Sequence, residues 1–360
     1  MKANVLTRRE FLAATGLSAA VLDVGVAADL GGTNSASPAG LKRRLRIGML
    51  GAVHMHANGK LDVLRASPDY ELVGISEESA SVRDDCQRQG LKTLPQAALL
   101  DQCDVIAVES AVRDHARHAL LALRAGKHVH LEKPPAATLG EVREMIAVAR
   151  GRKLLLQVGY MWRYHPGFQA IFEAARQGWL GEIHLVRASI SKELAPARRR
   201  EWAEFRGGAF FELGSHLLDV IVRLLGRPQN VTSFLRHHGE ATDDLKDNNL
   251  VVLEYNRALA VITNTALQST NLPQRSFEVV GAKGAAVLHS LEPPKLEIEL
   301  AAAAGPYRKG PQTVTLPPYH RYEADLIELA AAARGARRLA VALEEELLVQ
   351  EILLNASGMS

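Results

Sequence analysis

The chain has 360 residues, 47% of them hydrophobic and 23% charged, which suits about two soluble domains with a core large enough to need no staples. The formal net charge of +3 sits in residues 1–44, with six basic and three acidic side chains; the neutral remainder excludes a broad nucleic-acid surface. Two cysteines, Cys86 and Cys103, exclude a disulfide framework, and no run of about 18 apolar residues marks a membrane-spanning helix.

Near the N-terminus, Thr7-Arg8-Arg9-Glu10-Phe11-Leu12 leads into a modest apolar run, Ala13 to Leu22. Paired arginines before such a run resemble a twin-arginine export signal. Residues 1–30 are therefore expected to be a signal and the protein periplasmic or otherwise extracytoplasmic, and cytoplasmic if the signal does not function. Residues 31–44, rich in small and polar side chains and then basic, read as a linker. Strands are expected at 45–51, 71–76, 104–108, 129–131 and 154–159, with helices around Leu61 and Leu64, at 115–124 and at 141–150. That alternation indicates βαβ units and a parallel sheet. After about residue 165 the pattern changes. A helix at 166–177 is followed by strands at 183–190, 231–236, 250–255, 258–266, 275–280 and 285–289, with helices at 212–225 and 322–333. Hairpin-linked strands imply antiparallel pairing. The expected fold is an α/β Rossmann-like domain over residues 45–165, then an α+β domain with a mainly antiparallel open sheet over residues 166–360.

The segment from Ala125 to Pro134 is the most informative. Gly126 suits the C′ position of a helix. The short run Val129 to Leu131 ends at Glu132-Lys133-Pro134, and Pro134 cannot continue a ladder. Glu132 and Lys133 are thus expected at the carboxyl end of a strand, where open α/β sheets bind ligands. Gly48-Met49-Leu50-Gly51-Ala52-Val53-His54 joins a strand to a helix, as a dinucleotide fingerprint does, although the last glycine is missing. Glu77 ends the second strand. A carboxylate there accepts hydrogen bonds from ribose hydroxyls and repels a 2′-phosphate, which favours NAD over NADP. Gly48, Gly51, Val53, His54 and Glu77 are the expected cofactor contacts from this part of the chain.

His54-Met55-His56 invites a metal reading. Histidines two apart on a helix converge poorly, and adjacent His237 and His238 point apart on a strand, so no metal site is expected. Glu212 and His216, at i and i+4, are expected to share a helical face, the carboxylate raising the basicity of the imidazole. Arg198-Arg199-Arg200 reads as a solvated or substrate-facing loop. Tyr160 and Arg163, just after a strand end, suit a sugar or carboxylate pocket.

Together these motifs resemble the glucose–fructose oxidoreductase / inositol dehydrogenase (Gfo/Idh/MocA) family over residues 45–355. The resemblance is carried by Ala125-Gly126-Lys127-His128 leading to Glu132-Lys133-Pro134, by Ser110-Ala111 with His115, by Gly159 to Pro166 with Arg163, and by Gly207-Gly208 through Asp219. It implies that Lys133 hydrogen-bonds the reacting hydroxyl and that His216 is the general acid/base. It also implies that Glu212 replaces an assisting Asp, and that Ser110, His115 and Glu132 lie near the nicotinamide. The expected activity is NAD(P)-dependent oxidation of a sugar, cyclitol or related polyol, with His216, Tyr160 and Arg163 against the substrate. Two alternatives share these residues: a glycosidase that oxidises its sugar transiently, and a non-catalytic NAD-binding protein. A small-molecule partner and a homo-oligomer built through the C-terminal sheet are expected.

Overall fold

A computed structural model describes residues 43–269 and 275–360. The twin-arginine segment and most of the linker lie outside the described residues.

The first half is a parallel sheet wound with helices. In chain order it runs β1 (Leu45–Leu50), α1 (Ala57–Ala66), β2 (Tyr70–Ser76), α2 (Ala80–Arg88), α3 (Gln96–Gln102), β3 (Val105–Val108), α4 (His115–Arg124), β4 (His128–Leu131), α5 (Leu139–Gly151) and β5 (Leu156–Val158). The spatial order is β2-β1-β3-β4-β5, every pair parallel. Its switch point therefore lies between β1 and β3, where a doubly wound sheet opens a crevice at its carboxyl edge. Strands β3 and β5 are buried along their whole length, as strands covered on both faces must be. Gly126 takes φ +79° after α4, the left-handed cap that its position predicts. Thr138 and Glu141 form a reciprocal capping box on α5.

After α6 (Pro166–Arg176) the chain enters an eight-stranded sheet. Its elements are β6 (Ile183–Ser191), α7 (Pro196–Trp202), α8 (Ser215–Leu225), β7 (Asn230–Arg236), β8 (Asn248–Glu254), β9 (Leu259–Thr265), β10 (Arg275–Gly281), β11 (Gly284–Leu291), β12 (Pro294–Leu300) and β13 (Gly310–Val314). The order is β13-β12-β11-β10-β6-β9-β8-β7, antiparallel except for β6 beside β9. Helices α9 (Glu323–Ala333) and α10 (Leu343–Ala356) follow.

One apolar core joins the inner faces of both sheets, from Ile47 and Val105 to Phe168, Val186 and Phe277. A second lies between the other face of the parallel sheet and its helices, around Ile106, Val108, Leu131 and Met145. The C-terminal helices pack back on the first half: Tyr70 donates to the Leu326 carbonyl at 2.8 Å and Gln350 to the Ala136 carbonyl at 2.6 Å. No helix among the described residues is long and apolar enough to cross a membrane.

Sequence reasoning missed α2, α3, α7, α10, β12 and β13. The triple arginine, read as a loop, forms part of α7. Arg199 is buried there on Asp243 and Asp247, and Arg198 pairs with Glu201.

Candidate active site

The carboxyl ends of β1 to β4 converge on one buried cluster of charge. Gly51 turns the chain out of β1 with φ +74°, and a Cβ there would sit 2.4 Å from the Ser110 Cα; both demand glycine. His54 and His56 occupy that turn and the start of α1, so their expected divergence along a helix does not arise. Their rings lie 4.8 Å apart, edge to face. His56 Nδ1 is 3.1 Å from Glu132 Oε1, and His54 Nε2 is 3.1 Å from Glu212 Oε1. Lys60, fully buried in the first turns of α1, donates to Glu109 at 2.6 Å and Glu132 at 2.5 Å. Lys133 donates to the Glu212 carboxylate at 2.6 Å.

These contacts set the protonation states. Burial alone would lift the Glu212 carboxyl, but Lys133 and His54 outweigh it and hold it at about 2. Burial likewise opposes ionisation of Glu132, and Lys60 and His56 overcome it, so Glu132 stays well below the ordinary range. Glu109 differs. Burial lifts it against the pull of Lys60, to about 7, and its Oε2 has no hydrogen-bond partner. Two ammonium groups thus balance two firmly ionised carboxylates, and Glu109 is left as the acid that titrates near neutrality. His56 is held down to about 3 and His115 to about 4, both chiefly by burial. Both His115 nitrogens approach carbonyl oxygens, Pro134 at 2.7 Å and Ser110 at 3.0 Å, so the neutral ring donates to only one.

One ligand atom each of His54, His56 and Glu132 lies within 4.8 Å of the others, a grouping that sequence spacing argued against. Two ligands on one zinc are at most about 4.2 Å apart, twice a bond of ~2.1 Å. Lys60 already supplies the positive charge between the two carboxylates.

Glu212 sits on a π-helical turn, Phe210–Gly214, that feeds α8. Such turns shift the phase of a helix, so the i,i+4 pairing expected with His216 does not form. Glu212 bonds His54 and Lys133 instead. His216 Nδ1 is buried without a partner, and the ring packs 4.9 Å from Trp162. Burial, then the Lys133 charge, holds His216 well below 6.5, so the ring is neutral.

Lys133 and His216 line a cavity of about 180 Å³ between the two sheets, closed by Met55, Trp162, Leu213 and Tyr322 among others. Tyr322 takes a left-handed φ of +65°, unusual for a bulky side chain, and its ring lies 5.3 Å from His56. Non-glycine residues held there cost ~1–3 kcal/mol and concentrate at ligand sites.

Other expected contacts lie elsewhere. Arg163 is buried in a fork between Asp219 (2.7 Å) and Glu346 (2.6 Å), stacked on Tyr160; it straps α8 to α10 and does not line the cavity. Tyr160 lies beneath it, 6.4 Å from His216. Gly48 is not in the turn but inside β1, where a Cβ would strike Leu99 and Cys103 at 2.8 Å, so it serves the packing of α3.

The crevice suits a dinucleotide at several points. Glu77 ends β2 and receives the Ala52 and Ser79 amides at 2.6 and 2.7 Å, and the buried Ser110 hydroxyl has no partner. Counted from Gly51, the later glycine places of the fingerprint are taken by half-buried Val53 and by His56. Reasoning from sequence missed Lys60 and Glu109. Their signals were a lysine on the stripe of Ala57, Leu61 and Leu64, and an acid directly after the apolar run of β3.

A doubly wound sheet with a charged Glu-Lys pair at its carboxyl edge, followed by a large open sheet, defines a two-domain nucleotide-dependent enzyme class. Residues 45–160 match the model of the oxidoreductase family with an NAD-binding Rossmann fold, and residues 168–287 match the GFO/IDH/MocA C-terminal domain. The chain belongs to the Gfo/Idh/MocA family, and its first domain matches that family's NAD-binding Rossmann fold. It is 35% identical to bovine (Bos taurus) trans-1,2-dihydrobenzene-1,2-diol dehydrogenase over 144 residues, 39% of this chain and 42% of that one. It is 32% identical to D-glucoside 3-dehydrogenase of Escherichia coli (strain K12) over 204 residues, 51% of this chain and 55% of that one. The chain thus spans about half the length of these curated relatives. GenD2 from gentamicin A biosynthesis, solved in complex with NAD, shares the fold at TM-score 0.73 and 22% identity, covering 91% of this chain and 97% of its own.

Proposed function

We propose that the protein is an NAD(P)-dependent oxidoreductase acting on the CH–OH group of a sugar, cyclitol or related polyol. The observation that carries this reading is Lys133. Its ammonium is held by Glu212 at the carboxyl end of β4 and faces the same cavity as a neutral histidine. The names of the two dehydrogenases above support a polyol-like substrate.

Gly51, Ser110, Glu77 and the first turn of α1 would hold the dinucleotide, which supplies hydride transfer at its nicotinamide when bound. Lys133 hydrogen-bonds the reacting hydroxyl and stabilises the oxyanion that develops there. His216 takes the proton, since burial keeps its ring neutral and it lines the same cavity. Glu212 fixes the position of Lys133, and His54 in turn fixes Glu212. Trp162 and Leu213 supply an apolar part of the cavity wall beside Lys133 and His216.

Lys133→Ala and His216→Ala are each expected to lose about 10²–10⁴-fold in turnover while still binding NAD. The measurement is nicotinamide absorbance over a polyol panel, with cofactor titration by calorimetry. Full activity in both variants would refute the assignment. Glycoside cleavage without net NADH would favour transient oxidation instead. The paired Arg8 and Arg9 support export of the folded protein by a twin-arginine route.

A further inference from the structure

The cavity that Lys133 lines carries three more cations from three separate elements. Lys192 follows the end of β6, Arg275 opens β10, and Arg321 precedes α9. No aspartate or glutamate lines the cavity among the described residues. The undescribed residues 270–274, next to Arg275, are Thr-Asn-Leu-Pro-Gln and contain no carboxylate.

The charge on the cavity wall is not balanced. Lys133 is answered by Glu212. Arg321 and Arg275 share one carboxylate, Glu292, at 2.5 Å from Arg321 Nε and 3.5 Å from Arg275 Nη1. Lys192 has no side-chain partner among the described residues; only its backbone amide is bonded, to the Thr265 carbonyl at 3.0 Å. Three positive groups therefore face one carboxylate. Burial, then the nearby charges of Arg275, Arg198, Arg321 and Lys133, lowers the Lys192 pKa, whereas Glu292 raises that of Arg321 against its burial. Burial and then Arg321 likewise lower that of Arg275. Crowding partly buried like charges is unfavourable unless something negative completes the site. Guanidinium forks and an ammonium are the groups that recognise carboxylate and phosphate.

We propose that the substrate is an acidic polyol, carrying a carboxylate or phosphate oxyanion that Lys192, Arg275 and Arg321 bind while Lys133 meets the hydroxyl to be oxidised. The proposal rests on the oxidoreductase reading for the second half of that statement only. A cavity of about 180 Å³ lies below the range of ~300–1,000 Å³ for drug-sized ligands, so one small ring with its oxyanion is the expected occupant.

The test compares glucose, glucuronate and glucose 6-phosphate on the full chain with NAD, by calorimetric binding and by NADH formation. At least one oxyanion is expected to bind about 10-fold or more tightly than glucose, with added salt narrowing the gap. A lead for glucuronate assigns a carboxylate, and a lead for glucose 6-phosphate assigns a phosphate. Lys192→Gln, and independently Arg275→Gln, should reduce that preference by about tenfold, with unchanged thermal melting confirming the fold. Equal or tighter binding of glucose, absence of binding by all three, or variants that weaken glucose and oxyanions alike would overturn the proposal. Tight oxyanion binding without NADH formation would uphold the site and count against the hydride-transfer reading. NADH formation with no oxyanion preference would do the reverse.

Discussion

Replacing Glu109 by Gln probes the buried charge cluster directly. Glu109 is wholly buried at the end of β3, with Oε1 on Lys60 and Oε2 unpartnered. Glutamine keeps the shape and an acceptor for Lys60 but cannot titrate. The folded-state pKa, about 7, lies above the ordinary 4.5, so in that interval the folded protein holds a proton that the unfolded chain has released. The stability it contributes is fully present below about pH 4.5 and is lost as pH rises through about 7. At about 1.36 kcal/mol per pH unit the ceiling is ~3.4 kcal/mol. Glu132 and Lys60 share in the titration, so about 2 kcal/mol is expected. The assay is urea unfolding of both proteins from about pH 5 to about pH 8. The quantity is the stability of the native protein minus that of the variant, which should fall with pH by that amount. Buried groups that do not share the Glu109 titration cancel in this difference. His56, His115 and His130, held down to about 3, 4 and 3, gain stability as pH rises toward 6.5, in both proteins. Asp325, lifted by burial to about 6, is also common to both. A difference that stays flat across the window, or rises with pH, would refute the protonation argument.

Lys60→Met removes the cation between Glu109 and Glu132 and leaves two buried carboxylates without it. A loss of about 3–5 kcal/mol is expected, read as a fall in denaturation midpoint at pH 8, and a loss below ~1 kcal/mol would mean the pair is hydrated. For export, fractionation of cells making the full chain should place it outside the cytoplasm, and Arg8→Lys with Arg9→Lys should hold it inside. An unchanged distribution would dismiss the signal.

The fold was legible wherever burial imposes a period. Runs such as Val105–Val108, with glycines and prolines between them, mark the parallel strands, and the hairpins of the second sheet carry alternating patterns. Helix α7 was hidden because its sequence, PARRREW, looks solvated, yet Arg199 is buried by pairing with Asp243 and Asp247 more than forty residues on. In the site, Glu132 and Lys133 were legible because proline fixes where β4 stops. The partners of Glu212 were not. They depend on a π-turn that sequence spacing does not encode, and an assumed α-helical phase pointed to His216 when the geometry selects Lys133 and His54.

The two lysines also explain how so many carboxylates share one dry volume. Glu109, Glu132 and Glu212 come from β3, from β4 and from the π-turn before α8, so no local pattern in the chain pairs them. Each firmly ionised member touches an ammonium: Glu132 meets Lys60 and Glu212 meets Lys133. Burial lifts Glu109 to about 7, because Lys60, which it shares with Glu132, does not offset it and the Glu132 charge adds to it. Lys133 stands at the border of this cluster and of the cationic wall of Lys192, Arg275 and Arg321. It is the one ammonium there that faces a carboxylate on one side and the cavity on the other. A ligand hydroxyl that reaches Lys133 therefore meets a charge already oriented by Glu212. An oxyanion on the same ligand is drawn to Lys192, Arg275 and Arg321, three cations that share one carboxylate.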